Sequence, residues 1–369
     1  MNNPNLVTFS RLSRTALVVS IALIIAGPLR ATAPIQQRTN PQAPPAGDNL
    51  FSVVDLVSSP TADIGTGSII DSHIDPLTQI GYFCVLTADH NFPTSTAIGF
   101  GDFGTAPNGA NSFSTTYPII SHASGGSTGT KDISVAIVRY GPIDPFFISI
   151  KDLTLWAAPT GTDANLKTYT DNNVGKFTEI GYGDTGTPHY NAGVQDGFTP
   201  QTSHGIQRFQ NNTRTSVNVN AAHGGYTYTD FKWTPGPVSP GNPNLGTGSS
   251  FGGDSGGPYF LTDQVTKTIS GLTDVFGNPV GDQNIDLYTN TIFAVHTFGD
   301  NNNPQLFSDA NIQSGGVLLS AADITWINSA CAIPEPAAMT LAAFALGALL
   351  NLRKQRAATA RKQRSCPVS

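Results

Sequence analysis

Apolar residues in this chain come in short runs rich in Val, Ile, Thr, Phe and Tyr: "FSVVDLVS", "YFCVLTAD", "ISVAIVRY", "FFISI", "KFTEIGYG", "YTYTDFKW" and "LYTNTIFAVHTF". Clusters of Gly, Pro, Asn, Asp and Ser close each run. Recurrent short strands with turn signals between them predict an all-β sandwich or barrel. About a dozen such segments are enough for two small barrels, and a chain of 369 residues can bury a sizeable core.

Composition sharpens this picture. Charged residues make up 12 % of the chain, against about 25 % for a typical soluble domain, while Gly and Pro number 38 and 26. The charge is uneven. From Pro34 to Ile333 there are 24 Asp plus Glu and 10 Lys plus Arg, a net charge of −14. A body this acidic is repelled by nucleic acid and by anionic membrane, which leaves proteins or neutral polymers as partners.

Both ends read as addresses. Residues 1–33 place Arg11 and Arg14 before the apolar "TALVVSIALIIAG" and the small-residue "ATA", the order of a secretory signal peptide. A retained N-terminal anchor is the alternative. Residues 34–49, rich in Pro and polar residues, read as a linker. Residues 332–369 carry Pro-Glu-Pro at 334–336 and continue with an apolar run, Ala337 to Leu350, shorter than the roughly 20 residues of a membrane span. Arg353, Lys354, Arg356, Arg361, Lys362 and Arg364 follow and would stay cytoplasmic. Those three features in order resemble a PEP-CTERM sorting signal, which implies processing by exosortase-type machinery of Gram-negative bacteria. The chain would then be exported through the inner membrane to the cell surface or beyond, anchored transiently by the C-terminal helix. A permanent C-terminal anchor is the plainer alternative.

Of the 3 cysteines, Cys366 lies in the basic tail and would be lost on processing. Cys84 sits inside an apolar strand pattern and is expected to be a buried free thiol, with a Cys84–Cys331 disulfide as the alternative in an oxidising compartment. No metal-ligand spacing stands out. Asp71 and Asp75 flank a loop but lack the oxygen count of a calcium site, and no cofactor is expected.

The candidate chemistry lies in three separated segments. "SSFGGDSGGPYF", residues 249–260, crowds glycines around Asp254 and Ser255, so the backbone there must turn sharply or approach something closely. A serine hydroxyl is a poor nucleophile unless a base takes its proton and a third group holds that base in the right tautomer. Among 7 histidines, His90 ends the apolar strand "FCVLTADH", where an imidazole can point into a cleft. Asp132 directly precedes the strand "ISVAIV", and a carboxylate at the lip of a buried strand must be hydrogen-bonded or functional.

"LTADH", "KDISVAIV" and "GGDSGGP", in that order, resemble the signature segments of chymotrypsin-like (trypsin-fold) serine proteases. Weaker likenesses run through "GTGSIID", "EIGYGDTG", "AVHTFGD" and "ADITWINSA", so the resemblance covers residues 50–331 as one protease domain. It implies two six-stranded antiparallel β-barrels with a short C-terminal helix and a catalytic cleft between the barrels. It also implies a secreted endopeptidase acting on protein or peptide substrates: Ser255 as nucleophile, His90 as general base, Asp132 orienting His90, and Thr297 hydrogen-bonding Asp132 from beneath. The N–H groups of Gly253 and Ser255 would form the oxyanion hole.

The resemblance has gaps. The cysteines that flank the catalytic histidine in the family appear here as Gly65 and Asn91, and the one before the serine as Phe251. No Ile-Val-Gly-Gly sequence precedes the body to supply the new N-terminal ammonium that pairs with the residue at Asp254. Segments 188–203 and 265–290 look inserted. By position Ser249 lies at the base of the S1 pocket, Ser250 on its wall and Gly299 beside its mouth, so nothing acidic is there to receive Lys or Arg. His296 stands where glutamate-specific bacterial members carry a pocket histidine; the other reading is a strand histidine satisfied within the fold. The alternative function is a catalytically silent protease fold acting as a surface or matrix-binding module.

Overall fold

In the computed structural model, the described residues are 37–38, 52–59, 62–75, 78–100, 116–142, 150–183, 185–191, 194–201, 208–233, 253–269, 272–273, 283–299 and 313–332. The segment read as signal peptide, the sorting signal beyond Ala332, and the pocket serines Ser249 and Ser250 lie outside them. Among the described residues no helix is long and apolar enough to cross a membrane.

In chain order the strands are β1 (Gln37–Arg38), β2 (Val53–Ser59), β3 (Ala62–Ile74), β4 (Ile80–Thr87), β5 (Ala97–Gly99), β6 (Thr116–Ser124), β7 (Ser134–Pro142) and β8 (Thr154–Leu155). Helix α1 (Asp163–Asn173) follows. Then come β9 (Lys176–Gly181), β10 (Thr185–Asn191), β11 (Val194–Gln201), β12 (Arg208–His223), β13 (Tyr226–Trp233), β14 (Pro258–Ile269), β15 (Leu272–Thr273), β16 (Gln283–Gly299) and β17 (Ser314–Leu318). Helix α2 (Ala321–Cys331) ends the described chain.

The first barrel closes in the order β2-β3-β4-β7-β6-β5. Alternation along these strands sends Val54, Leu56, Ile69, Phe83, Val85, Ala136 and Val138 into one core. The second sheet runs β14-β9-β12-β13-β17-β16, and β14 also pairs with β16, so these strands form a ring as well. Its core is aromatic: Phe177 meets Phe231 edge-on at 5.0 Å and Tyr259 at 4.9 Å, and Phe293 lies 4.8 Å from Phe231. Offset and edge-on rings of this kind hold large side chains in one arrangement. The molecule is thus all-β with two six-stranded rings and a short C-terminal helix, as the trypsin-like fold requires. One pairing departs from antiparallel order: β8 adds to β16 in parallel.

The described parts of the inserted segments are paired strands. Residues 185–201 make a two-stranded ladder, β10 with β11, carrying a bulge between His189 and Tyr190. The other insertion lengthens β14 and β16, whose pairing continues to Ile269↔Gln283.

Cys84 is not a free thiol. It is bonded to Cys331 with Cα atoms 5.5 Å apart, across a sequence separation of 247. The strand pattern hid this because β4 and α2 are brought together only by the packing of the last helix on the first barrel. In a chain-entropy account a crosslink of this span stabilises by on the order of 5 kcal/mol, so the core does not carry stability alone.

Candidate active site

His90 stands in a single 3-10 turn, Asp89–Asn91, that directly follows β4. Asp132 stands just before β7, and β4 pairs with β7 through Thr87↔Ser134, so both residues leave the barrel at the same edge. His90 Nδ1 lies 2.7 Å from Asp132 Oδ2, and the His90 backbone N–H donates to Asp132 Oδ1 at 2.9 Å. The carboxylate is 5 % exposed and the imidazole 36 % exposed. A carboxylate accepting at Nδ1 selects the tautomer with its proton there, which leaves the Nε2 lone pair on the open side of the ring.

Ser255 sits in the turn between the described start of its loop and β14, and two glycines make that turn possible. Gly253 has φ +94° and Gly256 φ +91°, values that L side chains rarely adopt. A Cβ on Gly256 would also lie 2.1 Å from both Thr66 O and Thr87 Oγ1. The turn is pinned to the first barrel by Thr66, to which the sequence assigned no role, and by Asn91. Thr66, wholly buried in β3, donates its N–H to Ser255 O at 2.7 Å and its hydroxyl to Gly253 O at 2.9 Å. Its own carbonyl accepts from Thr87 Oγ1 at 2.7 Å, and its hydroxyl accepts from Tyr182 N at 3.0 Å. Asn91, beside His90, donates to Ser255 O at 2.9 Å and to Thr87 Oγ1 at 3.0 Å. Gly65 and Asn91, which stand where the family that the chain resembles carries cysteines, lie side by side. A Cβ on Gly65 would fall 2.6 Å from Asn91 Nδ2, so the glycine makes room for the amide that ties the Ser255 turn to the His90 turn.

From the other side, Gly256 N donates to His296 O at 2.7 Å and His296 N donates to Gly257 O at 2.8 Å. Thus the segment 253–257 bridges His90's barrel and β16. Asp254 Oδ1 accepts the N–H of Gly183 at 2.9 Å.

Thr297 does not hydrogen-bond Asp132. Its hydroxyl meets Tyr228 Oη at 2.8 Å, both groups buried. β16 carries an irregularity in its ladder with β17 between His296 and Phe298, and such a bulge re-aims the side chain at the extra residue. Burial, followed by smaller effects that include the charge of Asp132, pushes the Tyr228 phenol above its ordinary range. Tyr228 therefore stands near the carboxylate as a neutral group behind Thr297.

His296 is 2 % exposed. Its Nδ1 lies 2.7 Å from Tyr259 Oη and 3.2 Å from Glu179 Oε1, and Trp233 Nε1 donates to the same phenol oxygen at 3.2 Å. Burial, and then the charge of His90, lowers its pKa to about 3, so at neutral pH the ring is uncharged. Tryptophan can only donate. Tyr259 Oη therefore accepts from Trp233, and the Tyr259 hydroxyl and the Glu179 carboxylate face the same ring nitrogen of His296. Gly299 is exposed at the end of β16, opposite Ser314 of β17.

Comparison with known proteins adds likeness of fold. Human heparin binding protein is 13 % identical with a TM-score of 0.41, covering 82 % of this chain and 97 % of its own. A mutant of that protein gives 14 % and 0.42 over the same shares. Neuropsin, a serine protease expressed in the limbic system of mouse brain, is 12 % identical with a TM-score of 0.42, covering 80 % of this chain and 97 % of its own. No protein-family model and no curated protein matches the chain.

Proposed function

We propose that this protein is a secreted serine endopeptidase. The observation that carries the reading is the 2.7 Å contact between the half-open His90 and the buried Asp132, in a chain whose Ser255 turn is bonded to the residue next to His90. Ser255 Oγ attacks the scissile carbonyl as His90 Nε2 takes its proton, and the acyl-enzyme forms as His90 returns that proton to the leaving amine. Asp132 stays ionised and stabilises the imidazolium. The N–H groups of Gly253 and Ser255 are the donors for the developing oxyanion. Metal and cofactor have no part in these steps.

His296, Ser249, Ser250 and Gly299 line S1 in this reading. No acid among the four would receive Lys or Arg, so the pocket would take an acidic or an apolar P1 residue. The N-terminal signal peptide and the PEP-CTERM tail would export the chain and present it to exosortase-type machinery, placing it at the cell surface or outside.

The test is fluorophosphonate labelling of the full chain, followed by peptide-library turnover. Labelling is expected on Ser255 and lost in Ser255→Ala. Asp132→Asn, which permits the wrong tautomer of His90, is expected to lower turnover by about 10⁴-fold. A folded chain that neither labels nor cleaves any library peptide would overturn the enzyme in favour of a binding module.

A further inference from the structure

Helix α2 is fastened at both ends, and both fastenings land on the segments that carry His90 and Asp132. α2 opens with a reciprocal cap. Ser320 donates its N–H and its hydroxyl to Asp323 Oδ2 at 3.0 and 2.6 Å, and Asp323 N donates back to Ser320 Oγ at 3.2 Å. A capping acid ordinarily needs no more than this. Asp323, however, is wholly buried and also accepts Lys131 Nζ at 2.6 Å, Ser127 Oγ at 2.7 Å and Ser127 N at 3.3 Å. Lys131 is itself 6 % exposed and immediately precedes Asp132. Its backbone is closed into a compact loop, with Lys131 N donating to Gly125 O at 3.0 Å and Gly125 N to Ile133 O at 2.9 Å. Displacing Lys131 therefore displaces the start of β7.

The far end of α2 is the Cys84–Cys331 disulfide. Cys84 lies on β4 and is paired with Ile137 of β7, in the same ladder that ends at Thr87↔Ser134 beneath His90 and Asp132. A buried ion pair contributes little net stability but is strongly destabilising when one partner is removed. Its value here lies in where it is placed.

We infer that α2 is a two-point strap that holds the His90 and Asp132 segments in register. Lys131 and Asp323 are its positioning residues and the Cys84–Cys331 disulfide is its second tether. The inference rests on the proposed activity for its kinetic consequence only. Loosening either point lengthens the His90–Asp132 contact while both barrels remain folded.

The experiment uses the full chain and two readouts: the low-field Nδ1 proton resonance of His90, and the rate of fluorophosphonate labelling at Ser255. The variants are Asp323→Asn and the wild type reduced with dithiothreitol, whose two thiols are oxidised to a cyclic disulfide as Cys84 and Cys331 each gain a proton. In each the resonance is expected to broaden or vanish and labelling to slow by about 10- to 100-fold, the scale of a small misplacement of catalytic groups. Near-ultraviolet dichroism from the aromatic second core is expected to stay unchanged. Asp171→Asn, which breaks the ion pairs with Lys167 and Arg214 away from the cleft, serves as control and should move neither readout.

If Asp323→Asn does not fold, the double variant Lys131→Met with Asp323→Asn, which leaves no buried charge unpaired, takes its place. A sharp resonance and labelling within about twofold of wild type, in both the strap variant and the reduced protein, overturn the strap. A wild-type chain that shows the resonance but never labels overturns the enzyme reading, and the resonance alone then decides the strap.

Discussion

The carboxylate of Asp254 accepts the backbone N–H of Gly183 at 2.9 Å. This contact bears on activation, because in the family that the chain resembles the equivalent acid waits for an N-terminal ammonium. Here a fixed backbone donor from the β9–β10 connection faces it, and the approach is close enough to require glycine. A Cβ on Gly181 would fall 2.1 Å from Asp254 Oδ1, and one on Gly183 2.7 Å from the same atom. The Ser255 turn is therefore expected to be competent without a newly cut N-terminus. Chain with a chemically acetylated N-terminus should label with fluorophosphonate as fast as unblocked chain. Gly181→Ala, by pushing Asp254 out of place, should slow labelling by about 10²-fold, comparable to losing one oxyanion donor. Labelling that begins only after proteolytic trimming would show that a new N-terminus is needed.

Tyr228 and Thr297 form a second buried contact at the back of the site. Tyr228→Phe removes the partner of the Thr297 hydroxyl, and an unsatisfied buried hydroxyl costs about 1–3 kcal/mol. The expected result is a lower denaturation midpoint with an unchanged urea m-value. A variant with wild-type stability would mean that the pair is inert.

His296 makes the fold sensitive to acid. Its pKa in the folded protein is lowered to about 3, whereas an unfolded histidine takes its proton near about 6.5. Below that value the unfolded chain binds a proton that the folded chain refuses. Stability is therefore full above about pH 6.5 and falls by about 1.4 kcal/mol per pH unit as pH drops toward the folded value. Urea midpoints measured from pH 7 to pH 4 should fall less steeply in His296→Gln than in wild type. Parallel slopes would place the acid sensitivity elsewhere.

Much of this protein could be read along one dimension. Short β-branched and aromatic runs between turn signals mark strands, and the runs around Leu56, Val85 and Ala136 enter the first barrel's core. The order of the segments around His90, Asp132 and Ser255 was legible for a similar reason: each is a local motif of a few residues, and the chemistry that links them names complementary side chains. The insertions at 188–203 and 265–290 were visible as extra length, though their pairing into ladders was not.

What tertiary structure decided are contacts between residues far apart in the chain, where local pattern carries no information. Cys84 looked like any apolar strand residue, and only the docking of α2 brings Cys331 within bonding distance. Thr66 and Asn91 are ordinary polar residues until barrel closure places both on the carbonyl of Ser255. A bulge in β16 turned Thr297 to Tyr228. Asp323 had the spacing of a simple helix cap, yet burial and Lys131 make it the hub between α2 and the segment leading to Asp132. Burial and electrostatics are collective properties of the packed chain, so the charge state of His296 and the partner of Asp254 exist only once the barrels have closed around them.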